Sequence, residues 1–229
     1  MDKIGVETLL TMENAAPWYN DWLFSLISDE ISGDILEIGA GIGSFSEKLS
    51  KKGSLTVTDI NRRYLYNIKE KYGSKIRIGY GDIEKNEYDF NNKKFDTIVC
   101  LNVMEHIKND SKAVINMYYL LKKGGKLILL VPAHMCLFSN FDKKLGHFRR
   151  YKKGNVYRLL RDSGFTDIKT RYVNWVAAIG WFVFMKILKA KKMPDKTVGV
   201  FNMFGKIFLW PEKLIGPPFG LSVLAISSK

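Results

Sequence analysis

Three glycines on alternate positions follow a short apolar run, and this feature most constrains the fold. The apolar run covers residues 34–38, and Gly39, Gly41 and Gly43 come directly after it. Residues 44–52 then have the spacing of a helix. A buried strand that turns through glycines into a helix lets a ligand approach the backbone and points helix N–H groups at it. The pattern predicts an α/β fold with a ligand site after the first strand.

Acidic residues accompany this turn and the next predicted strand. Glu37 lies two residues before Gly39, and Asp59 ends the predicted second strand, 54–58. A carboxylate about 20 residues beyond the first glycine can accept hydrogen bonds from both hydroxyls of a ribose. The alternative role for Asp59 is that of N-cap to a helix. Ser44 stands where a dinucleotide fingerprint requires its third glycine, which argues against a NAD-linked oxidoreductase.

Polar residues also follow the later strands. Asp82 comes shortly after the predicted third strand, 75–79, and His106 follows the predicted fourth strand, 95–101. A fifth predicted strand, 126–131, stops at a proline. Ligands bind at the carboxyl ends of the strands in open α/β sheets, so these side chains are expected at one edge of the sheet.

The pattern E-x-G-x-G-x-G and the strand-end residues that follow it resemble the motifs of class I S-adenosylmethionine (SAM)-dependent methyltransferases. The resemblance implies a Rossmann-like, seven-stranded, mostly parallel sheet with helices on both faces. It also implies an antiparallel last strand, and a helical insertion before that strand is expected here. SAM is the implied cofactor, with Asp59 on its ribose, Asp82 on the adenine amino group and Ile83 packed on the adenine ring. The cofactor-binding residues implied in total are Tyr19, Glu37, Gly39, Ala40, Gly41, Gly43, Asp59, Ile60, Asp82, Ile83, Leu101, Asn102 and Val103.

A second region is expected to choose the substrate. Residues 131–165 contain Val-Pro-Ala, an aspartate, and Leu-Gly-His-Phe-Arg-Arg-Tyr, and resemble a subgroup of the same methyltransferases. A histidine near neutral pKa can accept a proton from a hydroxyl, so His147 and His106 are the candidate catalytic residues. Arginines can hold a carboxylate or phosphate. The candidate substrate-binding residues are His134, Arg149, Arg150 and Tyr151.

Structural roles remain as alternatives for these residues. Arg149 and Arg150 could instead pair with Asp142 or with glutamates and hold the loop in place. His106 could be a local hydrogen-bonding residue. Three histidines, two cysteines and dispersed acids show no metal-ligand spacing, so the sequence predicts no metal site.

The predicted domain organisation has three parts. Residues 1–33 form a helical lead-in that either packs on the sheet edge or covers the cofactor with Tyr19. Residues 34–173 and 221–229 form the SAM-binding domain, and residues 174–220 form the helical insertion. This aromatic and lysine-rich insertion is either a cap over the substrate or a surface that lies on a membrane.

Charge and cysteine content bear on location and partners. The net charge of +13 suggests an anionic partner, such as nucleic acid, a membrane surface or a negatively charged substrate. Cys100 and Cys136 lie in apolar runs and are predicted to be buried thiols in a reducing compartment. No signal peptide is apparent, and the apolar run 173–185 is too short to span a bilayer. A cytoplasmic location, with possible association with a membrane, is predicted.

The sequence therefore predicts a SAM-dependent methyltransferase that acts on an oxygen of a small-molecule or lipid-linked acceptor, of sugar or isoprenoid type. One alternative is an RNA methyltransferase, which the charge favours and the lack of a recognisable RNA-binding module disfavours. A second alternative is a partner subunit that binds SAM without turnover.

Overall fold

A single mixed sheet of eight strands organises the chain in a computed structural model that describes residues 17–90, 93–188, 209–213 and 216–229. The strand order is β4-β3-β2-β1-β5-β6-β8-β7. The strands are β1 Gly33–Ile38, β2 Gly53–Asp59, β3 Arg77–Asp82, β4 Glu87–Tyr88, β5 Phe95–Leu101, β6 Leu121–Pro132, β7 Thr166–Val173 and β8 Ser222–Ser228.

The strand directions confirm the predicted topology. Strand β1 lies between β2 and β5, parallel to both, and β5 is parallel to β6. Strand β8 inserts antiparallel between β6 and β7. The predicted number of seven strands is wrong by one, because the two-residue strand β4 pairs antiparallel with the end of β3. So short an edge strand carries no periodic pattern from which it could be predicted.

The carboxyl ends of β1, β2, β3, β5 and β6 meet at one edge because these strands are parallel neighbours. The central residues of β1, β5 and β6 are mostly apolar and buried, as expected for strands covered on both faces. Two separate apolar clusters result. One contains Ile98, Met117 and Leu160, and the other contains Ile35, Val57 and Ile128. The two clusters thus pack against the strands whose ends form this edge.

The helices connect the strands and cover the sheet. They are α1 Pro17–Ser25, α2 Ser46–Ser50, α3 Arg62–Tyr72, α4 Asp110–Leu120, α5 Asn140–Lys144, α6 Lys153–Asp162 and α7 Trp175–Trp181. Asn61 and Asn109 cap α3 and α4, each accepting a hydrogen bond from a first-turn amide. Helix α2 is shorter than the predicted 44–52. Residues 41–45 form turns, and the chain becomes helical only at Ser46.

The described part of the predicted insertion 174–220 begins with α7 and continues as a π-helical segment, Phe182–Ile187. A 3-10 turn, Trp210–Lys213, precedes the last strand. The predicted second helix and its connection around 189–196 lie outside the described residues. Among the described helices, none has the length and apolar character needed to cross a bilayer.

The two cysteines differ in their surroundings. Cys100 is buried in β5, as predicted, but the prediction of burial is wrong for Cys136, which is exposed. Cys136 lies in a short 3-10 turn, Met135–Leu137, beyond the end of β6. The chain has left the sheet there, so an apolar sequence environment no longer implies burial.

Candidate functional site

The glycine turn after β1 lies against the turn that follows β5. Gly39 has φ +69°, and a Cβ there would come within 2.4 Å of Val103 Cγ2. Only glycine fits this approach, since both the backbone angle and the space exclude a side chain. Gly39 and Val103, two predicted cofactor-binding residues, are therefore neighbours in the fold, although they lie 64 positions apart in the sequence.

Three amide groups of this turn donate hydrogen bonds within the chain, and the expectation that the following helix points its N–H groups at a ligand stays a prediction. The N–H groups of Gly39 and Ala40 both donate to the Thr58 carbonyl, over 2.8 and 3.1 Å. The Gly41 N–H donates to Asp59 Oδ2 over 2.9 Å. The glycines therefore bring a ligand close by lacking side chains, while most of their N–H groups fix the turn to β2.

Two buried carboxylates lie beneath the turn. Glu37 accepts a 2.6 Å hydrogen bond from the Ser46 hydroxyl, and burial, reinforced by the nearby Asp59, raises its pKa to about 7. Asp59 accepts hydrogen bonds from Gly41 N–H and Asn61 N–H, and burial raises its pKa despite them. Both carboxylates lack a cationic partner among the described residues that contact them, which suits a ligand carrying positive charge and hydroxyl groups.

The ends of β2 and β3 provide an apolar surface and a third carboxylate. Ile60 has 63% of its side chain exposed, whereas Ile83 is buried in the core. Asp82 Oδ1 accepts hydrogen bonds from the N–H groups of Glu84 and Lys85, and its Oδ2 lies 3.3 Å from Lys85 Nζ. The surface open to a planar ring is thus that of Ile60, while Ile83, the residue predicted to pack on adenine, supports the turn from below.

The other predicted cofactor residues lie at two places. Leu101 is the last residue of β5, and Asn102 follows it with φ +54° and with its N–H bonded to the Leu130 carbonyl. Tyr19 lies in α1, where its hydroxyl accepts a 3.0 Å hydrogen bond from Asn174 Nδ2 and burial raises its pKa to about 12. The contact joins the lead-in to the first residue of the predicted insertion.

The loop predicted to choose the substrate lies beside the end of β6 and the turn after β5. Tyr151 bridges to Ala133, and the Tyr151 N–H donates to the Pro132 carbonyl over 2.8 Å. The Phe148 N–H donates to the Glu105 carbonyl over 2.8 Å. These backbone bonds bring His147 next to His106, with ring centroids 4.6 Å apart and perpendicular planes.

Asp142 orients His147. It is fully buried, and its Oδ1 lies 3.1 Å from His147 Nδ1 and 2.7 Å from Arg150 Nη2. Burial alone would raise the pKa of Asp142, but the hydrogen bonds from His147 and Arg150 hold it well below its usual range. Asp142 is therefore ionised and favours the tautomer of His147 that carries its proton on Nδ1.

The arginines and Tyr151 make contacts within the chain. The guanidinium of Arg150 is buried between Asp142 and the Trp181 ring, 4.6 Å away. Arg149 pairs with Asp110 over 2.8 Å, and the Tyr151 hydroxyl lies 3.1 Å from the same carboxylate. These contacts agree with the alternative in which the residues hold the loop, and a substrate-binding role for them stays a prediction.

His134 is separate from the paired imidazoles and stacks on Tyr172 at 4.7 Å. Its backbone adopts φ +62°, and burial with nearby Lys152 and Arg150 lowers its pKa. Its Nε2 atom has no hydrogen-bond partner within the described part of the chain. A substrate-binding role for His134 remains a prediction.

Glu105 is the residue that sequence reasoning missed. It precedes His106 in the 3-10 turn Met104–His106, is 1% exposed, and has a pKa raised to about 7 by burial. Burial and the neighbouring His147 lower the pKa of His106 to about 4. The only indication in the sequence was an acid next to a histidine after a strand. It did not show that His147 lies beside these two residues in the fold.

Comparisons with known proteins relate this chain to methyltransferases. Residues 36–129 match the family model described as a methyltransferase domain. An uncharacterised protein of Methanocaldococcus jannaschii is 28% identical over 141 residues, which is 58% of this chain and 65% of that protein. Malonyl-[acyl-carrier protein] O-methyltransferase 2 of Ilyobacter polytropus is 34% identical over 48% of this chain and 40% of its own length.

A third relative is a ubiquinone biosynthesis O-methyltransferase of Coxiella burnetii, 30% identical over 41% of each chain. The alignments thus span less than two thirds of the length of these relatives. A SAM-dependent methyltransferase from Archaeoglobus fulgidus has the same fold, with a TM-score of 0.64 and 18% identity over 97% of this chain and 99% of that one.

Proposed function

We propose that this chain, which contains a methyltransferase domain and has the class I SAM-dependent methyltransferase fold, transfers a methyl group from SAM to an oxygen atom of a small-molecule or lipid-linked acceptor. The observation that carries the proposal is the position of the imidazole pair. His106 lies three residues beyond Val103, the residue that contacts the glycine turn. Groups that can act on an acceptor thus adjoin the predicted cofactor site.

The residues of the glycine turn fit the cofactor. Asp59 would accept hydrogen bonds from the ribose hydroxyls, and Asp82 would accept a hydrogen bond from the adenine amino group. Ile60 would provide an apolar contact for the adenine ring. Glu37 lies buried beneath the turn, where its carboxylate would be favoured by the positive charge of the ligand. When bound, SAM supplies a methyl group on a positively charged sulfur, and the C–S electron pair stays with sulfur as the new bond to oxygen forms.

The protein's main contribution is alignment of the acceptor oxygen with this methyl group. Such alignment can contribute about 7–11 kcal/mol to lowering a barrier. A hydroxyl acceptor must also lose its proton, and His106 or His147 is the group that we assign to promote this loss. His106 is neutral near pH 7 because burial lowers its pKa to about 4, so a lone pair remains on its ring. General-base assistance would add about 10²–10⁴-fold to the rate.

The relatives and the surface support an oxygen acceptor of small or lipid-linked type. Two relatives are named as O-methyltransferases. The insertion exposes apolar side chains next to Lys186, including Phe182, Ile187 and Leu188. We propose that this surface receives the apolar part of a lipid-linked acceptor, with sugar and isoprenoid chains as candidates, or contacts an anionic membrane surface that holds it.

A carboxylate acceptor is the second candidate. It would need no proton acceptor, and it would need a cation to hold it. Arg149 has 31% of its side chain exposed and pairs with Asp110, so it could exchange this partner for an acceptor carboxylate. Substitution of the histidines distinguishes the two candidates, since methylation of a carboxylate would survive the loss of both imidazoles.

Calorimetric titration with SAM tests the cofactor site. We expect Asp59→Ala to weaken binding by at least about tenfold, the effect of about 1.4 kcal/mol for lost charge-assisted hydrogen bonds. Glu47→Gln, a change at an exposed glutamate of α2, is the matched control and should bind as the unsubstituted chain does. Equal affinity in Asp59→Ala and the control would remove Asp59 from the site.

Formation of S-adenosylhomocysteine over a panel of acceptors tests the reaction. The panel contains phenols, sugars, isoprenoid alcohols, carboxylates and RNA. Turnover with an oxygen acceptor is the expected result. Turnover with RNA alone would replace the proposed acceptor, and SAM binding without turnover on any acceptor would favour a non-catalytic partner subunit.

A further inference from the structure

The side chains of Glu105, His106 and His147 form a compact donor cluster at the edge of the sheet. Each offers one ligand atom, and the three atoms lie within 4.8 Å of one another. The cluster is drawn from two segments that are distant in sequence, the turn after β5 and the loop after α5. The Phe148–Glu105 backbone bond holds these segments together.

One carboxylate oxygen of Glu105 is buried without a hydrogen-bond partner among the described residues. Its side chain is 1% exposed, and its Oε2 atom has no hydrogen-bond partner within the described part of the chain. Most buried polar atoms in proteins are paired, and leaving one unpaired costs about 1–3 kcal/mol, more for a charged group. An unpartnered carboxylate oxygen next to two imidazoles therefore points to a missing electropositive partner.

The two imidazoles are prepared to supply lone pairs. Asp142 holds the Nδ1 side of His147, which leaves Nε2 as the ligand atom. A carboxylate behind a histidine in this way fixes the tautomer and raises the basicity of the free nitrogen, as is usual for histidines that bind metals. For His106, a backbone hydrogen bond to Gly146 engages one side of the ring.

We propose that Glu105, His106 and His147 bind one divalent first-row transition metal ion. Two imidazole nitrogens and one carboxylate oxygen suit zinc and similar ions better than magnesium or calcium, which prefer oxygen ligands alone. Three protein ligands leave a fourth position open, as in catalytic rather than structural zinc sites. Two ligand atoms about 2.1 Å from one ion lie at most about 4.2 Å apart. The ligand atoms here lie within 4.8 Å of one another, so the widest pair must close by at least about 0.6 Å if it spans that full distance.

The local charges permit a cation. The nearby positive charge of Arg150 is compensated by Asp142, which its guanidinium contacts over 2.7 Å. Glu105 then supplies a negative charge to the ion. The proposal departs from the sequence-based prediction of no metal site, because ligands from distant segments show no regular spacing in the sequence.

A metal ion here would deepen the proposed function, on which its catalytic role depends. An ion that draws electron density from the acceptor hydroxyl makes its proton easier to lose. With the ion bound, His106 and His147 would promote the loss of this proton as ligands of the ion, in place of accepting the proton directly, and water would take it. Binding of the ion itself does not depend on the methyl-transfer reaction.

The test is a titration of the chelator-treated full chain with Zn²⁺, and separately with Co²⁺, in the absence of SAM. We expect one ion per chain, and at least tenfold weaker binding in Glu105→Gln and in His147→Gln. Two matched controls should bind as tightly as the unsubstituted chain. His134→Asn alters the one histidine outside the cluster and suits its positive φ, and Cys136→Ser removes the exposed thiol that could also hold zinc.

X-ray absorption at the zinc edge of the unsubstituted chain provides a readout that survives if a variant fails to fold. Nitrogen and oxygen ligands without sulfur support the site. No binding by the unsubstituted chain, equal binding in Glu105→Gln, or sulfur ligands would overturn it. If the protein binds the metal but transfers no methyl group, only the proposed function is contradicted. If the protein binds no metal and its methyl transfer is unaffected by the chelator, only the metal site is contradicted.

Discussion

The buried carboxyl group of Glu37 is expected to make the protein less stable as the pH rises. Its pKa in the folded chain is about 7, against an ordinary value of 4.5, because burial outweighs the hydrogen bond from Ser46. Between these values the folded chain retains a proton that the unfolded chain has lost. The free energy of unfolding therefore falls with rising pH, since protons favour the state that binds more of them.

The size of the effect follows from the two pKa values. One pKa unit corresponds to about 1.4 kcal/mol, so the full contribution is about 3 kcal/mol, of which about 2.5 kcal/mol falls between about pH 5 and pH 8. Glu37→Gln keeps the shape and an oxygen that can accept from Ser46, but it cannot ionise. We expect its free energy of unfolding to increase, relative to that of the unsubstituted chain, by about 2.5 kcal/mol between about pH 5 and pH 8.

Urea unfolding of both chains without SAM, at about pH 5 and pH 8, measures the effect through the linear dependence on denaturant. Glu47→Gln is the control, because Glu47 is exposed and, among the described side chains, its carboxylate forms an ion pair with Lys51 alone. Exposed pairs of this kind contribute about 0–1 kcal/mol. If the stability difference between Glu37→Gln and the unsubstituted chain were the same at both pH values, the buried carboxyl group would not have the raised pKa on which this reasoning depends.

Two further substitutions test the contacts that shape the site. Gly39→Ala should destabilise the chain by about 2–5 kcal/mol, because residue 39 has a positive φ and the new methyl group would clash with Val103. Adding Val103→Ala should recover only the part of this loss that is due to the clash. A double-mutant cycle, measured by urea unfolding, tests this expectation. Asp142→Asn should lower the free energy of unfolding by about 3–5 kcal/mol, because it leaves the buried Arg150 without its anion. The exposed Asp162, paired with Arg161, gives the control Asp162→Asn, and an equal loss in both would contradict the assigned role of burial.

The sequence allowed the strand ends to be predicted because they depend on local patterns. Continuous apolar runs in β1 and β5 require burial on both faces, and an acid after such a run must come to the ligand-binding edge. Asp59 was placed by its position at the end of a predicted strand, and Asp82 was placed by the family resemblance. Cys136 was misplaced because an apolar neighbourhood in sequence predicts burial only while the chain remains in the sheet.

The contacts that span distant segments could not be predicted in this way. Nothing near Gly41 in sequence indicates that its N–H group is taken by Asp59, and nothing near Glu105 indicates that His147 lies beside it. Both contacts depend on how the turns after β1 and β5 and the loop after α5 pack against each other. The family resemblance identified His147 and His106 separately as candidates, but their pairing required the fold.

Glu37, near the end of β1, and Glu105, in the turn after β5, are both buried carboxyl groups at the same edge of the sheet. Each is a buried carboxyl group with a pKa raised to about 7, and each would be more stable in the folded chain as a neutral group. A purely structural position would tolerate an amide there without loss. Their presence at the ligand-binding edge is accounted for if each meets a cation during function, the sulfonium cofactor for Glu37 and the proposed metal ion for Glu105. Binding of either cation should then stabilise the folded chain most strongly at neutral to alkaline pH, where the carboxylates are ionised.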